Sequence, residues 1–331
     1  MVKWYSIPEH SKLKPFTFIV GGYGIGKTYS AIDRALTEYK GHFLYLRNTG
    51  EQLKESCGEF GNPFKKWSND HNANIIMRME KSHAVVFEEI EGRRTIIGFG
   101  ANLSTFENLR GVDLSTIKFI VFDEFIEKRT LMFEQFTAFT RMYETVNRNR
   151  ELLGEEPVYC VLLSNAQRLG NPILRGYNLI PLIESMQKSG QKTTVCNNGQ
   201  VRIELPFSEV SEAKKTTALY QATQGANFHQ EAINNNFVND SFTGVKKVNI
   251  AEYVPLVRID DIYIYKHKSE QLFYACSIPA QKIRTYRSID NFIIFNRIYG
   301  MSLKLAYGQD RLFFSDYSTK VDLLGLLKML Y

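Results

Sequence analysis

Lys27 and Thr28 close a glycine-rich run, Gly21, Gly22, Tyr23, Gly24, Ile25 and Gly26, in the stretch FIVGGYGIGKTYSAI. Counted from Gly21, the spacing satisfies G-x-x-x-x-G-K-[ST] in full. Backbone N–H groups can crowd a phosphate where Cβ atoms are absent, and a lysine at this position reaches β/γ oxygens. The Thr28 hydroxyl is a ligand suited to Mg²⁺. Residues Gly21 through Tyr29 are therefore the candidate nucleotide-binding set, with Lys27 also a candidate for catalysis and ATP with Mg²⁺ the expected cofactors.

A second constellation lies about a hundred residues on. STIKFIVFDEF is a continuous apolar run that stops abruptly in Asp123 and Glu124. Two carboxylates at the end of a buried strand are costly unless something uses them. Given a phosphate loop, Asp123 is the expected Mg²⁺ acid. Glu124 is then the candidate general base, because a carboxylate beside the magnesium acid can polarise an attacking water.

These side chains need a scaffold that brings distant loops together. FTFIV reads as a buried strand and TYSAIDRALTEY as a helix whose N-terminal dipole faces the anion. HFLYLR is a second strand, placed in sequence between the two motifs, and it fits the additional-strand class of P-loop ATPases, in which a catalytic glutamate follows the magnesium acid. NIIMRME, AVVFEEI and RTIIGFG predict a β insertion, its last two runs joined through EGRR. RTLMFEQFTAFTRMYETVNRNRE carries an apolar helical face and closes in Arg148, Asn149 and Arg150. Those arginines either complement the helix dipole or supply a finger to a neighbouring subunit's site. PVYCVLLSNAQ is another buried strand, with Ser164 and Asn165 at its tip as possible γ-phosphate sensors, although a polar strand end needs no function.

Whole-chain properties bound the reading. The chain has 331 residues, enough for two ordinary domains, and 41 basic against 35 acidic side chains give a net charge of +6. That excess permits nucleic-acid contact without demanding it. Cys57, Cys160, Cys196 and Cys276 are dispersed, which argues against a zinc site or disulfide framework. The N-terminus lacks a signal-peptide core and no run approaches a membrane span, so an intracellular, soluble protein is expected. No base-reading motif is visible, and DNA contact would be through phosphates. Lys54, Lys65, Lys66, Arg93 and Arg94 are the candidate gripping residues, each equally readable as part of a solvated basic face.

Taken in order and spacing, FIVGGYGIGKTY, STIKFIVFDEF, ETVNRNRE and LLSNAQRLGNP resemble the DNA-packaging ATPases of short-tailed phages of the phi-twenty-nine type, over about the first 240 residues. The resemblance implies a homomeric ring, a pentamer, acting in the host cytoplasm. It would dock on the portal of an empty prohead, with a structural RNA as an intermediary, and drive double-stranded DNA inward. It carries over the phosphate loop, Asp123 for Mg²⁺, Glu124 for catalysis and Arg148 as the trans-acting finger. One departure stands out: family loops often carry a basic residue where this chain has Tyr23.

The expected fold is α/β, a P-loop ATPase domain over residues 1–203 with a helical linker or lid over 204–237. A β-rich C-terminal domain follows over 238–331, which by the resemblance is a vestigial, RNase H-like nuclease. Within that domain DDIYIYKHKSEQLFYACS predicts a hairpin around KSEQ, NFIIFNRIYG and RLFFSD read as strands, and STKVDLLGLLKMLY as a helix. Asp260, Asp261, Asp290, Asp310 and Asp316 are the acids a nuclease site would draw on, but Asp260 and Asp261 precede a strand, a poor place for metal ligands. Two other classes compete with a translocase: a P-loop kinase, and an assembly protein that binds ATP without hydrolysing it. Glu124 speaks against the second and the RNR after a long helix against the first.

Overall fold

The computed structural model describes residues 3–109, 114–126, 135–166, 169–206, 208–224 and 243–327. The chain divides into two compact units, Met1–Asn239 and Asp240–Tyr331.

The first unit is mixed α/β, built on one large sheet. Its strands and helices are, in chain order, β1 (Phe16–Gly21), α1 (Lys27–Thr37), β2 (Phe43–Arg47), α2 (Gly50–Ser56), α3 (Lys65–His71), β3 (Ile75–Glu80), β4 (His83–Ile90) and β5 (Arg93–Asn102). Then come β6 (Phe119–Asp123), α4 (Gln135–Asn147), β7 (Tyr159–Asn165), α5 (Pro172–Gly176), α6 (Ile180–Ser189), β8 (Thr193–Cys196), β9 (Val201–Glu204), α7 (Glu209–Lys214) and α8 (Ala218–Ala222). The spatial order is β3-β4-β5-β2-β6-β7-β1-β9-β8. Six neighbours, β5 to β9 through β2, β6, β7 and β1, run parallel. Parallel strands covered on both faces must be apolar throughout, and FIVFD of β6 is buried at all of its positions.

Three expectations are refined here. The β insertion is an antiparallel extension of the main sheet: β3 pairs with β4 and β4 with β5, while β5 pairs in parallel with β2. The strand that lies between β1 and β6 is β7, not HFLYLR, since β2 flanks β6 on its far side. Sequence position between the two motifs did not make β2 the intervening strand, because the chain crosses past the place later filled by β7 and β6 and sets β2 on the far side. Glu204, the expected start of a linker, is the last residue of β9 and pairs with the sheet.

The second unit carries a five-stranded sheet in the order β13-β10-β11-β12-β14, with β10 (Tyr253–Ile259), β11 (Ile262–His267), β12 (Phe273–Cys276), β13 (Thr285–Tyr286) and β14 (Leu312–Phe314). Helices α9 (Ser288–Phe295), α10 (Met301–Gly308) and α11 (Tyr317–Leu326) accompany it. NFIIFNRIYG, expected as a strand, is therefore helical, and Phe295 from it joins Leu303 and Phe314 in the core. A short apolar run cannot be assigned to strand or helix by periodicity alone, and its burial decides.

Candidate phosphate and magnesium site

The glycine loop takes a backbone path that side chains would oppose. Gly24 and Gly26 have φ of 55° and 102°, in the left-handed region, and Gly26 caps α1. At Gly21 an added Cβ would lie 2.8 Å from the Pro206 ring. The N-terminal segment lies along the loop, with the Tyr5 amide donating to the Ile25 carbonyl at 3.1 Å.

Lys27 is buried, and its ammonium donates to the carbonyls of Gly21 (3.1 Å) and Gly22 (2.6 Å) and to Asn165 Oδ1 (2.9 Å). Burial lowers its pKa from 10.5 to about 7, although Asp123 pulls the other way. Asn165 is thus brought to the site, while its neighbour Ser164 turns its hydroxyl to backbone carbonyls of Asn165 and Ile126. Tyr29 lines the same cleft of about 300 Å³, but its hydroxyl is committed to Asp70 on α3.

Asp123 ends β6 beneath the loop, and its two oxygens are shared between three neighbours. Oδ1 accepts from Thr28 Oγ1 at 2.9 Å, and Oδ2 accepts from the Tyr45 hydroxyl at 2.9 Å and Arg47 Nη1 at 3.3 Å. Burial pushes this carboxyl upward, and Arg47 opposes that shift. Thr28 and Asp123 present hard oxygen donors side by side, which fits Mg²⁺ held by one carboxylate, a hydroxyl, waters and substrate phosphates. Among the described residues no group of three or more His, Cys, Asp or Glu is arranged to hold a metal, and such a site needs none.

Glu124 stands apart in conformation. Its φ is +53°, uncommon for a residue with a Cβ, and its carboxylate is taken by Arg47 Nη2 at 2.7 Å. The carbonyls that follow Asp123 are gripped by a buried amide network. Asn48 Nδ2 donates to Glu124 O (2.8 Å), and Gln135 Nε2 donates to Phe125 O and Asn48 Oδ1, both at 2.7 Å. Asn171, the N-cap of α5, completes it by donating to Gln135 Oε1 (2.9 Å) and Phe125 O (3.3 Å). Buried polar groups matched this fully hold one geometry.

Sequence reasoning missed Tyr45, Arg47, Asn48, Gln135 and Asn171. Tyr45 and Arg47 left a trace, being alternate polar residues on one face of an otherwise apolar strand. The amides gave no local signal.

The arginines of RNR separate. Arg150 is buried and donates to the Ser115 and Ile117 carbonyls, at the start of β6, and to Glu155 at 3.1 Å. Its guanidinium is consumed locally and has no finger to offer a neighbour. Arg148 is exposed, with φ of +46°, and follows Asn147, whose Oδ1 accepts from the Val158 amide just before β7 begins. Of the basic candidates, Lys66 pairs with Asp70 (2.6 Å) and Arg94 with Glu89 (2.8 Å). Lys54, Lys65 and Arg93 are exposed, Lys65 lying over the Phe60 ring.

In the second unit Asp260 and Asp261 form the β10–β11 turn, Asp316 caps α11 through the Thr319 amide, and Asp310 has a left-handed turn φ of +54°. These are structural positions. No described helix is long and apolar enough to cross a membrane.

A family model described as Podovirus DNA encapsidation protein (Gp16) matches residues 5–264. The DNA packaging protein of Bacillus phage PZA is 26% identical over 243 residues, 70% of this chain and 64% of that protein. That of Bacillus phage phi29 gives the same identity over the same shares. The matched region thus spans less than two thirds of these relatives' length. A solved structure of the Phi-28 gp11 DNA packaging motor shares the fold, with a TM-score of 0.63 at 18% identity, over 96% of this chain and 95% of that one.

Proposed function

The chain belongs to the podovirus DNA encapsidation protein (Gp16) family, and from that premise we propose that it is the ATPase of a viral DNA-packaging motor. It hydrolyses ATP to drive double-stranded DNA into a preformed prohead in the host cytoplasm, working as a homomeric ring, with a pentamer docked on the portal through a structural RNA as the specific expectation. The observation that carries the reading is the convergence of Lys27, Thr28, Asp123, Glu124 and Asn165 at one end of adjacent parallel strands. Its support is chemical: each group is of the type that phosphoryl transfer to water requires.

Lys27 and the loop amides bind and orient the phosphates. Mg²⁺, held by Thr28 and Asp123, would offset charge on the β and γ oxygens. Glu124 takes a proton from the attacking water as the bond from γ-phosphorus to ADP breaks, which requires its carboxylate to leave Arg47 and face the water. β7 between the phosphate-loop and acid strands supports assignment to the additional-strand, catalytic-glutamate class. Asn165 is the γ-phosphate sensor.

Arg148 serves the neighbouring subunit. Its exposure supports that role, as do Leu152 and Leu153 close by in the chain, 84% and 75% exposed, which make the corner apolar. Exposed Lys54, Lys65 and Arg93 grip DNA phosphates. The second unit is read as a nuclease-like domain in which the described acids form no metal site, Asp290 lying outside the described side chains.

The test is steady-state ATPase activity with and without double-stranded DNA, with mass determination in ATP. DNA-stimulated turnover by an oligomer is expected, and a DNA-independent monomeric enzyme would remove the motor reading. Arg148→Ala and Glu124→Gln subunits, each inactive alone, should regain hydrolysis when mixed, because some interfaces then pair an intact finger with an intact base. A finger contributes ~10³ or more in rate, so even few repaired sites are measurable. Absence of recovery in demonstrably mixed rings would remove Arg148 from the mechanism.

A further inference from the structure

The phosphate loop has a second ammonium beside it, from a segment nearly two hundred residues away in sequence. Lys214, the last residue of α7, donates from Nζ to the carbonyl of Tyr23, and its Nζ lies 3.0 Å from where a Cβ on Gly24 would stand. Nothing between Gly21 and Gly26 carries charge, so Lys214 is the cation at the outer turn of the loop, as Lys27 is at its base.

Its position is built by several contacts rather than by one flexible side chain. Pro206, just before α7, abuts Gly21. The first residue of α7, Glu209, accepts from the Lys3 amide at 3.0 Å, and Lys3 begins the segment that lies along the loop. Beyond α7, Tyr220 is buried against Tyr23, and the Lys214 ammonium stands 5.9 Å from the centre of the Tyr220 ring. Pro206 and segment 208–220 thus clamp the outer turn on both sides of Lys214.

The chemistry of the group is selective. Its neighbour Lys215 is satisfied by Glu212 at 2.6 Å, whereas among the described residues no carboxylate lies within ion-pair distance of Lys214. Partial burial disfavours its charge, which an anion at the loop would restore. An ammonium bonded to a single neutral carbonyl, at the rim of a loop shaped for phosphate, gains more from an anionic oxygen than from that carbonyl.

We propose that Lys214 is a ligand of the terminal phosphate of a bound nucleoside triphosphate, supplied in cis by α7 and standing where the loop itself offers Tyr23. The inference rests on the nucleotide reading above. It makes the 208–220 segment a reporter of nucleotide state: with a triphosphate bound, Lys214 bridges the γ-phosphate and the loop, and with a diphosphate it keeps the Tyr23 carbonyl.

The experiment is calorimetric titration of the full chain with ATPγS and with ADP, for wild type, Lys214→Ala and Lys214→Arg, with thermal melting to establish that each is folded. A charge-assisted hydrogen bond accounts for roughly tenfold or more in affinity. Lys214→Ala should lose about that factor for ATPγS and much less for ADP, and Lys214→Arg should recover most of the loss. If wild type binds neither nucleotide, the nucleotide reading itself fails. If wild type binds ATPγS and Lys214→Ala binds it equally well, Lys214 is not a ligand. An equal loss for ATPγS and ADP would overturn the terminal-phosphate assignment, leaving Lys214 as a brace for the loop.

Discussion

Two strands of this protein end in a pair of acids, one in each unit, and the pairs have opposite fates. Asp123 and Glu124 end β6, and Asp260 and Asp261 follow β10. Both pairs include a residue with left-handed φ, +53° at Glu124 and +48° at Asp260. Yet Asp123 is buried and receives Thr28, Tyr45 and Arg47, whereas the Asp261 side chain is 88% exposed and, among the described residues, pairs with Arg258, three residues back. The difference lies in the neighbouring strands. β6 has parallel partners on both sides, so the carboxyl ends of β2, β7 and β1 and their loops converge on its acids. β10 turns straight into antiparallel β11, and its acids are spent on the turn. An acidic pair becomes a site through what the adjacent strands deliver.

The strongest way to break this comparison is at turnover. Glu124→Gln should retain ATP binding and lose about 10³-fold in kcat, while Asp261→Asn leaves kcat unchanged; the measurement is phosphate release under saturating ATP. Activity in Glu124→Gln near the wild-type rate would show that the convergent pair is no more catalytic than the turn pair.

Stability should separate the regions next. Arg47→Ala strands Asp123 without its cation in a buried setting, and removing one partner of such a pair costs roughly 3–5 kcal/mol. Asp261→Asn removes one end of an exposed pair and should stay within about 0.5 kcal/mol. Urea unfolding monitored by circular dichroism reads both. Comparable losses would mean that Arg47 and Asp123 form an ordinary surface pair.

A smaller effect is expected with pH. Lys27 has a folded pKa of about 7 against 10.5 for the exposed side chain. Between those values the unfolded chain binds more protons, so without nucleotide the stability should rise with pH, by up to about 1.4 kcal/mol per unit. That contribution is complete above pH 10.5, declines as pH falls, and levels off below pH 7. Lys27→Met should remove this slope while Asp261→Asn keeps it, in denaturation midpoints taken at pH 7.5 and 8.5. An unchanged slope in Lys27→Met would mean that Lys27 is charged throughout.

The parts of the site legible in sequence are those in which backbone conformation dictates residue type. Gly24 and Gly26 must be glycine for their φ, and FIVFD had to be a buried strand ending in acid, so both motifs could be read locally. Tyr45, Arg47 and the Asn48–Gln135–Asn171 network contact Asp123 or its following carbonyls from ten to seventy-eight residues away, and their amide types are ordinary at loop ends. The pairing of β2 on β6 brings in Tyr45, Arg47 and Asn48, while α4 delivers Gln135 and the segment after β7 delivers Asn171. Likewise the eight apolar-rich residues of α9 carried no period that distinguished helix from strand. Lys214 was hidden for the same reason: it sits in a short polar helix, and its meaning comes from the loop it touches.

Arg150 has a mechanical consequence. By binding the Ser115 and Ile117 carbonyls it fastens the corner that bears Arg148 to the entry of β6, and the exit of β6 bears Asp123 and Glu124. At ~3.3 Å per residue, the five residues of β6 form a strut of about 16 Å, laced on both sides by β2 and β7 and so unable to bow. In a closed ring each such strut would link the acids of one subunit to the arginine offered to the next. Strain at one active site would then travel as a rigid displacement, and successive firing around the ring would need no separate messenger.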